Sequence, residues 1–222
     1  MLGFITAVDL SGYFDPEEGV YGEDNDDEDG DGEDFEDSEW GAFENIPCLW
    51  VWCPITGKEL QLPLVRWCPY PERWSAALVC AADAEAGGGA CDHLVDCHRR
   101  PFLVVLVGTD KDSTFSCVYS SANGAWGDPT SAQIPRSREW LETVPPARVG
   151  NALYFLYRGS ARILRYDVAA RGFSVIDRPP PCSVDFQGSA VLMSMEGGTL
   201  GFAAVHEYRL RLWAREVDLS NR

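Results

Sequence analysis

The first 45 residues contain no lysine and no arginine. The chain as a whole has only three histidines, no N-x-[ST] sequence for glycan attachment, and almost no helical periodicity. No apolar run approaches the roughly 20 residues that a membrane-spanning helix needs, and the opening MLGFITAVDL lacks the basic flank of a secretory signal. These absences argue against a membrane protein and against a glycosylated secreted one. They also remove the usual marks of catalysis: there is no G-x-S-x-G elbow, no Walker loop and no dinucleotide fingerprint. No residue stands out as a nucleophile, so the expectation is a non-enzyme without a cofactor.

The missing basic residues account for the charge. The chain carries 35 acidic and 18 basic residues, a net of -17, and 17 of the acids fall in residues 1–45. The remaining 177 residues hold 18 acids against 18 bases and are formally neutral. An acidic segment therefore precedes an ordinary domain, and the expected boundaries are 1–45 and 46–222. A chain with this balance repels phosphate, so nucleic acid is not an expected partner. The low hydrophobicity of residues 1–45 predicts disorder.

Within that segment Asn25, Asp27, Asp29, Gly30 and Glu36 approach the spacing of an EF-hand calcium loop. Asn25 removes a formal charge at the first ligand position, Gly32 stands where such loops carry an apolar residue, and GYFDPEEGVYG before it cannot form the flanking helix. The spacing follows from the density of Asp and Glu. Zinc fares no better: Cys91, His93, Cys97 and His98 have an unusual ligand spacing and no second cluster nearby. No metal site is expected. The eight cysteines lie in or beside apolar runs, which reads as free buried thiols in a reducing compartment, cytosol or nucleus.

From Ile46 onward short apolar runs alternate with turn residues. Strands are expected at Leu49–Trp52, Glu59–Leu62, Phe102–Val107, Phe115–Ser120, Ala152–Tyr157, Ile163–Asp167, Phe173–Ile176, Ala190–Met193, Gly201–Ala204 and Arg209–Trp213. Thr56-Gly57, Asn123-Gly124, Arg171-Gly172 and Gly197-Gly198 suit tight hairpins. Ser75–Ala86 is ambiguous, with helix-favouring alanines but no clear apolar face. A repeat runs through this region. CVYSSANGAW, LRYDVAARGF and LRLWAREVDL align at Tyr119, Tyr166 and Trp213, each 47 residues after the last, and WVWCPITGKELQL is an earlier copy. Strands recurring at that period predict an all-β, β-propeller-like array of about four antiparallel blades, incomplete as a ring.

VWCPITGKELQLP, CDHLVDCHRRPFLVVLVGTD, VYSSANGAW, VGNALYFLYRGSARILRYDVAARGFSVID and GGTLGFAAVHEYRLRLWAREV resemble, in the same order, the β-propeller of plant F-box proteins, particularly the large grass set. The resemblance covers most of residues 46–217. It implies a substrate-recognition module of a ubiquitin-ligase adaptor, joined to a Skp1-type protein through an F-box. Residues 1–45 have no basic residue and several glycine breaks, and do not read as an F-box. The expected function is thus a non-catalytic protein-interaction module; the alternatives are a truncated family member with no independent activity and an acidic-tail binder of basic proteins. Trp50, Trp52, Trp126 and Trp213 are expected between blades. Trp67, Tyr70, Arg73, Trp74, Arg138 and Trp140 are expected in loops, where tryptophan beside arginine marks a partner face.

Overall fold

The computed structural model describes residues 5–6, 49–54, 56–65, 73–81, 100–110, 113–134, 139–179, 190–206 and 208–215. The acidic tract from Asp9 to Glu44, with its calcium-like spacing, and the Cys91–His98 segment lie outside the described residues.

Among the described residues, sixteen strands form four antiparallel sheets, none closed on itself. The first sheet holds β1 (Ile5–Thr6), β2 (Trp50–Trp52) and β3 (Glu59–Gln61). The second holds β4 (Arg73–Cys80), β5 (Phe102–Thr109), β6 (Thr114–Ser120), β7 (Ala125–Trp126) and β8 (Thr130–Ala132). The third holds β9 (Trp140–Leu141), β10 (Ala147–Val149), β11 (Ala152–Arg158), β12 (Arg162–Asp167) and β13 (Gly172–Asp177). The fourth holds β14 (Ala190–Met195), β15 (Thr199–His206) and β16 (Arg209–Arg215). All ten expected strands are present. Leading strands meet from sheet to sheet, β1 with β4, β4 with β9 and β10 with β14. The result is an open, propeller-like all-β array.

Ser75–Ala86 resolves in favour of a strand over its first half. β4 alternates, with Ser75, Ala77 and Val79 buried while Ala76 and Leu78 are half-buried. It pairs with β5 along its whole length, and this tertiary pairing outweighs the helix preference of alanine. At the expected Arg171-Gly172 turn, Arg171 rather than the glycine takes the left-handed conformation, at φ 51. Gly57 and Gly124 behave as expected, both at φ 66, each donating its N–H to the carbonyl four residues back.

The sheets stack face to face, and strand alternation divides their side chains between three apolar layers. Val104, Leu106, Cys117 and Tyr119 of the second sheet face the first, with Leu49, Leu62 and Val65. Val105, Val107 and Val118 face the third sheet, where they meet Leu153, Phe155, Leu164 and Tyr166. Tyr154, Leu156 and Ile163 turn the other way, onto Leu192, Leu200 and Phe202 of the fourth. This explains why β5 and β11 read as unbroken apolar runs: both of their faces are covered.

The repeat sets which face points which way. Val104, Leu153 and Phe202 are each 49 residues apart and stand directly opposite Tyr119, Tyr166 and Trp213. Each sheet thereby presents an aromatic ladder to the sheet before it. Tyr119 packs edge-on to Trp126 at 5.5 Å, Tyr166 tilts against Phe173 at 5.0 Å, and Phe202 meets Trp213 edge-on at 5.5 Å. Such pairs contribute ~0.5–1.5 kcal/mol beyond their buried area. Trp126 also donates its indole N–H to the Pro63 carbonyl at 2.7 Å, tying the second sheet to the first. Trp126 and Trp213 pack against the layers as expected, but Trp52 is 38% exposed on the outward side of the first sheet. Of the described cysteines, Cys80 and Cys117 are free and buried. Burial pushes the Cys117 thiol up to about 11, so it remains protonated at neutral pH while donating to the Gly127 carbonyl at 3.2 Å.

Neighbouring residues on opposite faces of β11 provide a test of this layering. Leu153→Ala opens a cavity in the middle layer and is expected to cost about 2–5 kcal/mol in urea unfolding. The Tyr154 hydroxyl is buried and has no partner among the described residues, so Tyr154→Phe should leave stability unchanged or raise it by up to about 1–2 kcal/mol. Equal losses from both would contradict the layer assignment.

Candidate partner-binding rim

Antiparallel pairing brings the start of β4, the end of β5 and the start of β6 to one end of the second sheet: Arg73 stands opposite Thr109, and Thr109 opposite Thr114. Asp110 closes the intervening turn by accepting the Ser113 N–H at 2.7 Å. In the third sheet, Leu141 and Trp140 of β9 pair with Tyr157 and Arg158 at the end of β11. Two bonds join these ends across the sheets. Leu141 N–H donates to Thr109 Oγ1 at 3.3 Å, and the Thr114 and Tyr157 hydroxyls share a bond of 3.1 Å. Burial raises the Tyr157 phenol above its ordinary range, the Thr114 hydroxyl partly offsetting it, so the bond forms between two neutral groups.

Beneath Trp140 lies a nearly buried ion pair. Arg162 donates through Nε to Glu139 Oε1 at 2.9 Å, through Nη2 to Glu139 Oε2, and through Nη2 again to the Ile134 carbonyl at 3.1 Å. The side chains are 15% and 7% exposed, and the Arg162 guanidinium lies 5.7 Å from the centre of the Tyr157 ring. The hydrogen bond to Glu139 is the main reason that the Arg162 guanidinium is held protonated even more firmly than usual. A two-pronged arginine–carboxylate contact fixes both partners in direction, so the chain entering β9 is anchored where Trp140 emerges.

The rim therefore presents Arg73, Trp140 and Arg158. Arg73 and Arg158 are exposed and Trp140 is 38% exposed. Arg73 and Trp140 occupy equivalent rungs, since Arg73 pairs with Thr109 of β5 and Trp140 with Arg158 of β11, and those partners are 49 residues apart. The expectation that Arg73, Trp74 and Trp140 lie in loops is corrected: all three are strand residues. Trp74 turns away from this rim and packs half-buried in the layer between the first two sheets, because strand alternation puts it on the face opposite to Arg73. Trp67, Tyr70 and Arg138 lie outside the described residues.

One aromatic was missed. Tyr208 occupies the β15–β16 turn, the counterpart of the turns at Asp110–Ser113 and Gly159–Ser160, is fully exposed, and holds φ at 61. A tyrosine in the left-handed region is uncommon and costs about 1–3 kcal/mol. The signal for it was the repeat itself, which puts a turn at this position, followed by Arg209. Among the described residues no group of three His, Cys, Asp or Glu side chains is placed to hold a metal, and no helix is long and apolar enough to cross a membrane. Compared with known proteins, the chain matches no protein-family model and no curated protein.

The anchoring pair is open to a double-mutant cycle. Glu139→Gln and Arg162→Met should each destabilise the protein, and the coupling between them should be about 1.5–3 kcal/mol, the range for hydrogen bonds to charged groups. Additive losses would mean that the pair does not act as a unit.

Proposed function

We propose that this chain is a non-catalytic protein-recognition module that works in the cytosol or nucleus and binds its partner through the Arg73–Trp140–Arg158 rim. The observation that carries the reading is an exposed tryptophan paired across the strands with the exposed Arg158, at the same end of the array as the exposed Arg73, on backbone held by the Thr109–Leu141 bond and the Glu139–Arg162 pair. Tryptophan and arginine are the side chains that most often dominate binding energy, and a fixed backbone lowers the ordering cost on association. The resemblance of residues 46–217 to the propeller of plant F-box proteins supports the same class of function. In that family the propeller recognises a substrate for ubiquitination. Residues 1–45 do not read as an F-box, so the proposed ligase link rests on the resemblance of residues 46–217 alone.

Proteins captured by the full chain are to be compared with those captured by an Arg73→Ala, Trp140→Ala double variant and by Lys58→Ala, a substitution in an exposed turn away from the rim. The rim variant is expected to lose its specific partners by about tenfold or more, corresponding to at least ~1.4 kcal/mol, and Lys58→Ala to retain them. An unchanged partner set in the rim variant would contradict the proposal. Loss of the same partners on deleting residues 15–39 would transfer the function to the acidic tract. A partner set with neither a Skp1-type protein nor ubiquitinated species would remove the ligase link.

A further inference from the structure

The repeat gives every sheet two kinds of face, a ladder face towards the preceding sheet and a receiving face towards the following one. The three internal junctions each mate one of each kind. On the receiving side, Val107, Leu156 and Val205 are equivalent rungs 49 residues apart. The first two are 0% and 2% exposed, but Val205 is 49% exposed. Ile163 and Leu210, 47 residues apart, behave alike: 2% against 65%. Among the described residues, no sheet covers the receiving face of the fourth sheet.

That face is built as an interior. The ten residues in register on it, from Val191 to Ala214, include no charged side chain. Val191, Val205, Leu210 and Leu212 are all between 44% and 65% exposed. Met193 and Met195 lie over Gly201, where an added Cβ would sit 2.7 Å from the Cγ of each, so the centre of the face is closed and flat. A sheet with one solvated side normally turns polar residues to water, whereas β16 alternates with Leu210 and Leu212 on this exposed side and Arg209 and Arg211 on the other.

The matching surface stands at the other end of the array. Trp52 occupies the ladder position of Tyr119: Gly57 follows Trp52 by five residues as Gly124 follows Tyr119, both at φ 66 and both bonded to the carbonyl four residues back. It pairs opposite Glu59 on the outward face, whereas Val51 packs inward. Among the described residues it is the ladder aromatic that no preceding sheet covers.

We propose that the outer face of the fourth sheet receives the outer, Trp52-bearing face of the first sheet of a second copy of this chain, head to tail. The occupant is specified by the molecule itself, because the same two kinds of face already mate three times within it. A heterologous junction of this kind closes into a ring of copies or extends as a row. This surface is separate from the Arg73–Trp140 rim, so self-association and partner capture stand or fall independently.

The test is the mass of the full chain by light scattering across a concentration series, for the wild type, Leu212→Glu and Trp52→Glu. Both substitutions fall on exposed positions, and a retained near-UV circular dichroism spectrum shows that each variant is folded. The wild type is expected to exceed the 24.6 kDa of one copy as concentration rises. Each variant alone should remain at one copy. Their equimolar mixture should regain a two-copy species, weaker than in the wild type, because Leu212→Glu supplies the intact ladder face and Trp52→Glu the intact receiving face. A wild type that stays at one copy would overturn the proposal. So would Trp52→Glu that still associates alone, which is the sign of a fourth sheet paired with itself, and so would a mixture that fails to associate.

Discussion

Burial of alternate side chains between stacked sheets is the constraint on which the rest of this structure depends. A strand gives each neighbouring layer every second residue, so the middle sheets must be apolar throughout, and β5 and β11 are. A shift of one residue in any pairing would turn a whole layer outward. The spacing of 49 residues between Val104, Leu153 and Phe202 holds that phase from sheet to sheet. The aromatic opposite each of them then marks the side that meets the preceding sheet.

The rim inherits its order from the same layers. Tyr157 belongs to the middle layer through its ring and reaches the rim through its hydroxyl. Leu141 is buried in that layer too, while its backbone N–H bonds the second sheet. Trp140 is exposed because its neighbour Leu141 is not. Recognition at the proposed rim would need no loop to be ordered at Arg73 and Trp140, whose backbones are already in strands.

Much of the fold was legible because short apolar runs and turn residues mark strand and hairpin directly, and the 47-residue spacing of Tyr119, Tyr166 and Trp213 marks the repeat. What was not legible is direction. Alternation shows that Trp50 and Trp52 share a face but not that the face is the outer one, and Trp74 beside Arg73 reads as a loop anchor until β4 pairs with β5. Ser75–Ala86 was ambiguous for a related reason, since in its described part, Ser75–Cys80, small residues partly covered on both sides leave no period to read. Of the rim residues, Arg73 and Trp140 stand out in the sequence by type, as tryptophan near arginine, whereas Arg158 does not, because it comes opposite Trp140 only when β9 pairs with β11. The Glu139–Arg162 pair was not, because its members come together only when β12 folds back beside the chain entering β9. Tyr208 escaped because a left-handed tyrosine leaves no trace in composition.

The account's central claim is that the sheets are layers of one interior rather than separate hairpins, and native-state hydrogen exchange tests it most directly. The amides of β5 in the second sheet and β11 in the third should exchange last and with the same free energy, that of global unfolding, and Leu153→Ala should lower both together. Exchange of the two strands at different free energies, or a Leu153→Ala effect confined to the third sheet, would contradict it.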